Sequence, residues 1–272
     1  MRAQQWRLDA VANNLANVNT SGFKREVAAF RAFPEMLLRR MEDDGVHLTP
    51  FGSADAAPIV GRMGTGVELN ELFTVFDQGP LRETFSDFDF ALDGRGFFVV
   101  ETPWGERFTR NGSFQLGVEG ILLTKEGFPV LGENGHIHVK ANNFTVDRLG
   151  RIWVNAAIDD DPMVLVSREN NMWEDTVMLD TLRIVEFEID RYLEKQGNSL
   201  WRETEISGPP MVAEGDRRPV VLQSFLEMAN VDPVSEMVKM IEVNRAYEAN
   251  QRVIQAHESA LGTLINQVSR LN

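Results

Sequence analysis

The sequence predicts an α+β chain: a mostly-β central domain inserted between N- and C-terminal helices that pair as a coiled coil. Three observations carry that reading. First, Met240, Val243, Tyr247, Asn250, Ile254, His257, Leu261, Leu264, Val268 and Leu271 follow one another at strict 3–4 spacing. That spacing draws a narrow stripe along one helix face, the pattern of a coiled-coil seam. Second, Leu8, Val11, Leu15 and Val18 repeat the spacing near the other end. Third, strand-like runs between them alternate with glycine turns at intervals of roughly 7–15 residues, the rhythm of a β-sandwich or barrel.

Asp232 and Pro233 mark the start of the C-terminal helix: an acidic N-cap, then proline at the first helical position. No Gly or Pro interrupts it before Gly262. It would span roughly 38 residues, or about 57 Å. A single seam on so long a helix needs a partner, and the N-terminal helix is the chain's own candidate. Asn250 and His257 break the apolar run, with two readings open. Each faces water where helices diverge, or each fixes register as polar seam residues do.

Residues 1–19 read as helix, closed by Asn17, Asn19, Thr20, Ser21 and Gly22. Asn13, Asn14, Asn17 and Asn19 lower its helix propensity. Either they make a solvated face and a frayed end, or their amides bond across tightly packed helices. Residues 25–76 read as an extended, partly mobile arm. Within it, 34–41 fits a short helix through Leu37, Leu38 and Met41, and 43–45 and 50–58 read as loop. Strands are expected at 97–101, 106–110, 121–124, 128–131, 136–140, 144–146, 152–154 and 163–166. Residues 181–189 alternate, and 220–225 return toward the C-terminal helix. The expected domains are therefore 1–24 with 230–272 as a helical assembly domain, 25–76 as the arm, and 77–229 as the all-β domain.

Composition narrows the function. The 272 residues carry a formal charge of −14. Residues 1–30 and 230–272 are near neutral, so the acidity belongs to the middle. Such a chain is a poor ligand for nucleic acid. It has no cysteine, which excludes disulfides, thiolate metal sites and cysteine nucleophiles. No run reaches about 18 apolar residues, so no transmembrane segment is expected. Residues 1–20 lack the apolar stretch of a cleavable secretory signal.

Candidate chemistry is thin. Gly94-Arg95-Gly96 opens an aromatic β-run, not a helix, so it reads as a tight turn and not a dinucleotide loop. His136 and His138 share one strand face but lack a third ligand. Asp159-Asp160-Asp161 lacks the EF-hand pattern. Gly-x-Ser-x-Gly is absent, and acidic pairs such as Asp87 and Asp89 are common on surfaces. No catalytic residue, cofactor or metal is expected, and the chain reads as not an enzyme.

Longer motifs are more specific. The run Ala12-Asn13-Asn14-Leu15-Ala16-Asn17-Val18-Asn19-Thr20-Ser21-Gly22-Phe23-Lys24 resembles the N-terminal motif of flagellar rod and hook proteins. Phe225-Leu226-Glu227-Met228-Ala229-Asn230-Val231-Asp232-Pro233 and Arg245-Ala246-Tyr247-Glu248-Ala249-Asn250 resemble that family's C-terminal end. Gln78-Gly79-Pro80-Leu81, Phe108-Thr109-Arg110-Asn111-Gly112 and Gly127-Phe128-Pro129-Val130 resemble motifs of its β-region. Family members begin about three helical turns earlier, on the order of ten residues. The resemblance therefore implies a misplaced start or a shortened first helix.

The resemblance implies a structural axial subunit of the bacterial flagellar basal-body rod that transmits torque from motor to hook. The expected partners are itself, other axial proteins of rod and hook, and the flagellar export apparatus. The expected place is the rod crossing the periplasm, reached without a cleavable signal. The assembly residues are those of the two stripes together with Asn13, Asn14, Asn17, Asn19 and Gly22. A hook or hook-associated protein is the nearest alternative. A β-sandwich cell-wall-binding module with a coiled-coil oligomeriser is the rival of another class. The compact β-region favours rod over hook, and the Asp232-Pro233 junction resembles a proximal rod member more than the distal one.

Overall fold

The computed structural model describes residues 2–39, 46–49, 52–55, 59–140, 143–155, 176–197, 199–213, 215 and 218–268. Helix α1 (Arg2–Ala16) opens the chain and α2 (Pro233–Val268) closes the described part. Between them the chain is mostly β. Contacts divide it into two compact units. One holds Met1–Ala10, Val27–Leu72 and Met240–Asn272; the other holds Val11–Glu26 and Phe73–Lys239. Among the described residues no helix is long and apolar enough to cross a membrane.

In the first unit, strands nest as a long hairpin. Strand β1 (Glu26–Ala32) is followed by β2 (Met36–Arg39), β3 (Val46–Thr49), β4 (Gly52–Asp55), β5 (Ile59–Met63) and β6 (Val67–Thr74). β1 pairs with β6, β2 with β5 and β3 with β4. The short helix expected at 34–41 is therefore corrected to strand β2. Met36-Leu37-Leu38 is an apolar run too short for periodicity to separate helix from strand. Cross-strand hydrogen bonds to β5 decide it, with Leu38 opposite Gly61. Within the loop expected at 50–58, Gly52–Asp55 is likewise a strand, held by its ladder to β3.

The second unit continues with β7 (Leu81–Glu83), β8 (Phe90–Asp93), β9 (Phe97–Thr102), β10 (Gly105–Thr109), β11 (Phe114–Leu116), β12 (Leu122–Thr124), β13 (Phe144–Val146) and β14 (Arg151–Asn155). Then come β15 (Thr176–Thr181), β16 (Ile184–Glu186), β17 (Glu194–Lys195), β18 (Leu200–Arg202), β19 (Met211–Val212), β20 (Val220–Gln223) and β21 (Phe225–Glu227). Its main sheet is antiparallel in the order β17-β18-β10-β9-β16-β19. β9 explains the unit. Phe98 and Val100 enter one apolar cluster, Phe97 and Val99 another, and all four are buried. A strand covered on both faces is an unbroken apolar run, which is why Phe97-Phe98-Val99-Val100 does not alternate with polar residues.

The smaller cluster is aromatic. The Phe97 ring meets Phe76 at 5.3 Å and Trp201 at 5.9 Å, and Phe108 meets Phe187 at 4.8 Å, all edge-on. Two shorter ladders bind the end of the chain to this unit: β20 lies on β8 and β21 on β7. Residues 128–131 and 136–140, expected as strands, form only isolated bridges such as Val100 with Val130 and Ile121 with His138. The strand expected at 163–166, the Asp159–161 run, the loop at 43–45 and Leu271 lie outside the described residues.

Candidate assembly site

The two ends of the chain meet the β-unit around Glu227, at the end of β21. Its side chain is 1% exposed. Oε1 accepts hydrogen bonds from Lys24 Nζ at 2.6 Å and from Gly79 N at 2.9 Å. Oε2 accepts from an Arg110 guanidinium nitrogen at 3.4 Å. Lys24 Nζ also donates to the Asp77 carbonyl at 2.7 Å. Lys24 and Arg110 are buried with it. Two cations thus converge on one carboxylate away from water, with Asp190 and Glu186 adding negative charge near Arg110.

Burial pushes the Lys24 ammonium below its ordinary value, and Glu227 pulls it partly back. Desolvation acts on Arg110 in the same direction. Buried charges of this kind add little net stability over apolar packing, but removing one partner is expensive. Three segments meet at this site: Lys24 from the N-terminal motif, Arg110 from the residue after β10, and Glu227 from the approach to α2.

Backbone contacts tighten the junction. Gly22 N donates to the Glu227 carbonyl at 2.7 Å. Gly22 sits at φ +66°, and a Cβ there would lie 2.4 Å from Asn111 N. Asn230 accepts from Arg25 N at 2.7 Å and donates to the carbonyls of Val75 and Asp77. Phe23, Ala229 and Val231 form a small buried cluster with Val18 against it.

The asparagines of the N-terminal motif have defined partners. Asn14 is 2% exposed. Its amide both accepts from Glu26 N and donates to Glu26 O, each at 2.9 Å. The same Nδ2 reaches Glu236 Oε2, in the first turn of α2, at 3.4 Å. Asn13 donates to the Glu26 carboxylate at 2.9 Å, and Asn17 donates back to the Asn13 carbonyl at 2.8 Å. Asn19 is exposed. Glu26 is held from the other side by Lys195 at 2.5 Å. Asp232 caps α2, accepting from Ser235 N at 3.1 Å.

The stripes fare unequally. On α1, Val11 is buried, and Leu8, Leu15 and, just past its end, Val18 are half-buried. On α2, Val243 is buried and Met240 and Tyr247 are half-buried. From Asn250 onward the stripe faces water: Asn250, Ile254, His257, Leu261 and Leu264 are all exposed. Val268 lies in the helix. Val253 and Ile265, beside the stripe, are also more than half exposed at 56% and 68%.

Sequence reasoning assigned no role to Lys24, Glu26, Arg110, Glu227, Asn230 or Glu236. One signal was readable: Glu227 is a lone acid in the apolar strand Phe225-Leu226-Glu227-Met228, and a buried acid requires a partner. His136 and His138 do not converge on a site. His136 Nε2 lies 2.5 Å from a Glu101 carboxylate oxygen, and His138 turns to the His136 carbonyl. Among the described residues no group of three His, Asp or Glu side chains could hold a metal ion.

Three family models match, in chain order. Residues 1–24 match "Flagella basal body rod protein", 91–154 match "Flagellar hook protein FlgE/F/G D1 domain", and 222–267 match "Flagellar basal body rod FlgEFG protein C-terminal". The first and last contain Lys24 and Glu227. Similar curated proteins span nearly the whole chain. The flagellar basal-body rod protein FlgG of Buchnera aphidicola subsp. Acyrthosiphon pisum is 33% identical, covering 96% of this chain and 94% of the relative. The rod protein FlgF of Caulobacter vibrioides is 33% identical, covering 97% and 93%. FlgG of Bacillus subtilis is 30% identical, covering 98% and 95%. Matches at both ends and in the β-region, over chains of nearly equal length, place this protein in the flagellar basal-body rod protein family.

Proposed function

We propose that this chain is a structural axial subunit of the flagellar basal-body rod and polymerises through its terminal helices. In this reading the stripes of α1 and α2 pair as a coiled coil, and neighbouring subunits cover what remains. Residues 1–24 with 230–272 form the assembly domain, 25–76 the arm and 77–229 the β-domain. The polymer transmits torque from motor to hook. Its partners are further copies and other axial proteins, reached through the flagellar export apparatus, in the part of the rod that crosses the periplasm. The role is mechanical, not enzymatic.

The observation that carries this reading is the bare C-terminal half of α2. Ile254, Leu261 and Leu264 are exposed at 43%, 57% and 56% on one helical stripe. Burying such a side chain is worth roughly 1.5–3 kcal/mol. The isolated chain leaves that energy unused, and an assembly recovers it at every contact. Negative-stain imaging of the concentrated full-length protein tests the proposal. Hollow rods of uniform width are the expected result. A protein that stays monomeric at every concentration, alone or mixed with its axial neighbours, overturns it.

A further inference from the structure

Beside the Glu227 group the β-unit holds a cavity of about 330 Å³. Separate stretches of the chain wall it: residues 76–78 ahead of β7, the Gly94-Arg95 turn between β8 and β9, Arg110 after β10, and Asp190 ahead of β17. Gln78 fixes part of that wall. Its Oε1 accepts from Gly94 N at 3.2 Å, and its Nε2 donates to Asp93 Oδ1 at 3.1 Å. The turn at Gly94-Arg95-Gly96 therefore sets Arg95 at the cavity, tied to the stretch that carries Asp77.

Arg110 is the side chain that asks for a ligand. It is 3% exposed, and its Nε is buried without a hydrogen-bond partner. Among the described residues its one hydrogen bond is the 3.4 Å contact to Glu227. Lys24 holds the closer approach to that carboxylate, at 2.6 Å. A guanidinium has more donors than one such bond uses. Donors left over on a buried cation are unfavourable until an acceptor meets them. Asp190 lines the same cavity and its charge reaches the guanidinium, yet no ion pair closes between the two. Among the described residues no ion pair joins Arg95, Arg110, Asp77 or Asp190 to one another. Charges of both signs thus face one space without cancelling in contact.

We propose that this cavity binds a small zwitterion of the α-amino acid class. Its carboxylate accepts from Arg110 and Arg95, and its ammonium donates to Asp190 and Asp77, all as charge-assisted hydrogen bonds. The balance of charge selects this occupant. An anion would be drawn to the arginines but repelled by Asp77 and Asp190. A cation would be drawn to the aspartates but repelled by Arg95 and Arg110. A molecule carrying both charges is met at both ends. The proposal is independent of polymerisation, because every residue it uses belongs to the β-unit.

The test is isothermal titration calorimetry of the full-length protein with alanine, and with its two halves, propionate and ethylamine. Alanine should bind saturably, and each half about tenfold more weakly, for loss of the bonds made by the missing charge. Arg95→Gln should weaken alanine several-fold and leave the melting temperature in place, since Arg95 is exposed and lies outside the buried group around Glu227. Asp190→Asn should weaken alanine but strengthen propionate, because it removes the repulsion that an anion meets. Any of three results overturns the proposal. Alanine without saturable heat leaves the cavity to water. Propionate or ethylamine binding as well as alanine makes it a site for one sign of charge. Unchanged alanine affinity in both variants puts the binding elsewhere.

Discussion

Lys24 Nζ lies 2.6 Å from Glu227 Oε1, with neither side chain more than 1% exposed. The N-terminal motif and the approach to α2 are therefore joined through charges that water does not reach. Glu227→Ala would leave Lys24 and Arg110 buried without their shared anion. The expected loss is about 3–5 kcal/mol. Lys24→Met should be milder, because Glu227 keeps Arg110. Chemical denaturation of the three proteins measures this. A Glu227→Ala variant as stable as wild type would falsify the role given to this group.

The same pair sets a pH dependence. Burial, the largest cause, lowers the Lys24 pKa from its ordinary 10.5 in the folded state. Between the folded and unfolded values, the unfolded chain binds more protons, so this group's contribution to stability rises with pH. It is fully present above 10.5 and is lost as pH falls through the folded value. Stability of wild type minus that of Lys24→Met, followed by urea denaturation up to about pH 11, should therefore climb in the alkaline range. A difference that falls with pH reverses the sign and removes the argument.

Gly22 should not tolerate a side chain. Its φ is +66°, and a Cβ added there would come within 2.4 Å of Asn111 N, so strain and clash act together. Gly22→Ala should cost more than about 1 kcal/mol. Gly127→Ala is the control: φ is +89° there, but nothing lies within 4 Å of a Cβ. Thermal melting that ranks Gly127→Ala as the more damaging change would show that the close approach is relieved at no cost.

If the exposed stripe serves assembly as proposed, its loss should be separable from folding. Leu261 and Leu264 are more than half exposed, so aspartate at both should leave the melting of the β-unit in place. In a polymer the same charges would meet an apolar seam. Leu261→Asp with Leu264→Asp should abolish rod formation and motility, while Arg252→Asp, beyond the stripe, should be milder. Normal swimming by the double variant would leave the stripe without its assigned purpose.

Protease should respect the unit boundaries. Val11–Glu26 belongs to the compact unit of Phe73–Lys239, with Phe23 and Lys24 buried. Trimming of the C-terminal half of α2 is expected before loss of residues 11–26. Mass spectrometry of early fragments decides it, and a stable core starting near residue 75 without the 11–26 peptide bound contradicts the structure.

Some of this was legible and some was not, for physical reasons. α2 could be read because its stripe repeats over many turns and Asp232-Pro233 marks its start. β9 and β10 could be read because an aromatic apolar run between glycine turns has few other homes. β2 was not legible, since four residues carry no period. The Glu227 group was least legible. Lys24 and Glu227 stand 203 residues apart, and no local pattern couples positions so distant. The asparagines drew attention as poor helix formers, but their partners Glu26 and Glu236 could be found only in three dimensions.

The separation has a temporal meaning. A ribosome, or any channel that delivers a chain from its N-terminus, presents Lys24 first and Arg110 next. Glu227 follows Arg110 only after a further 117 residues. Until then two positive charges lack the anion that lets them leave water, and the unit cannot close around them. Once Glu227 arrives, only the five residues 228–232 remain before α2 begins at Pro233. In chain order, the residue that completes the buried charge group thus comes just before the helix whose far half is exposed.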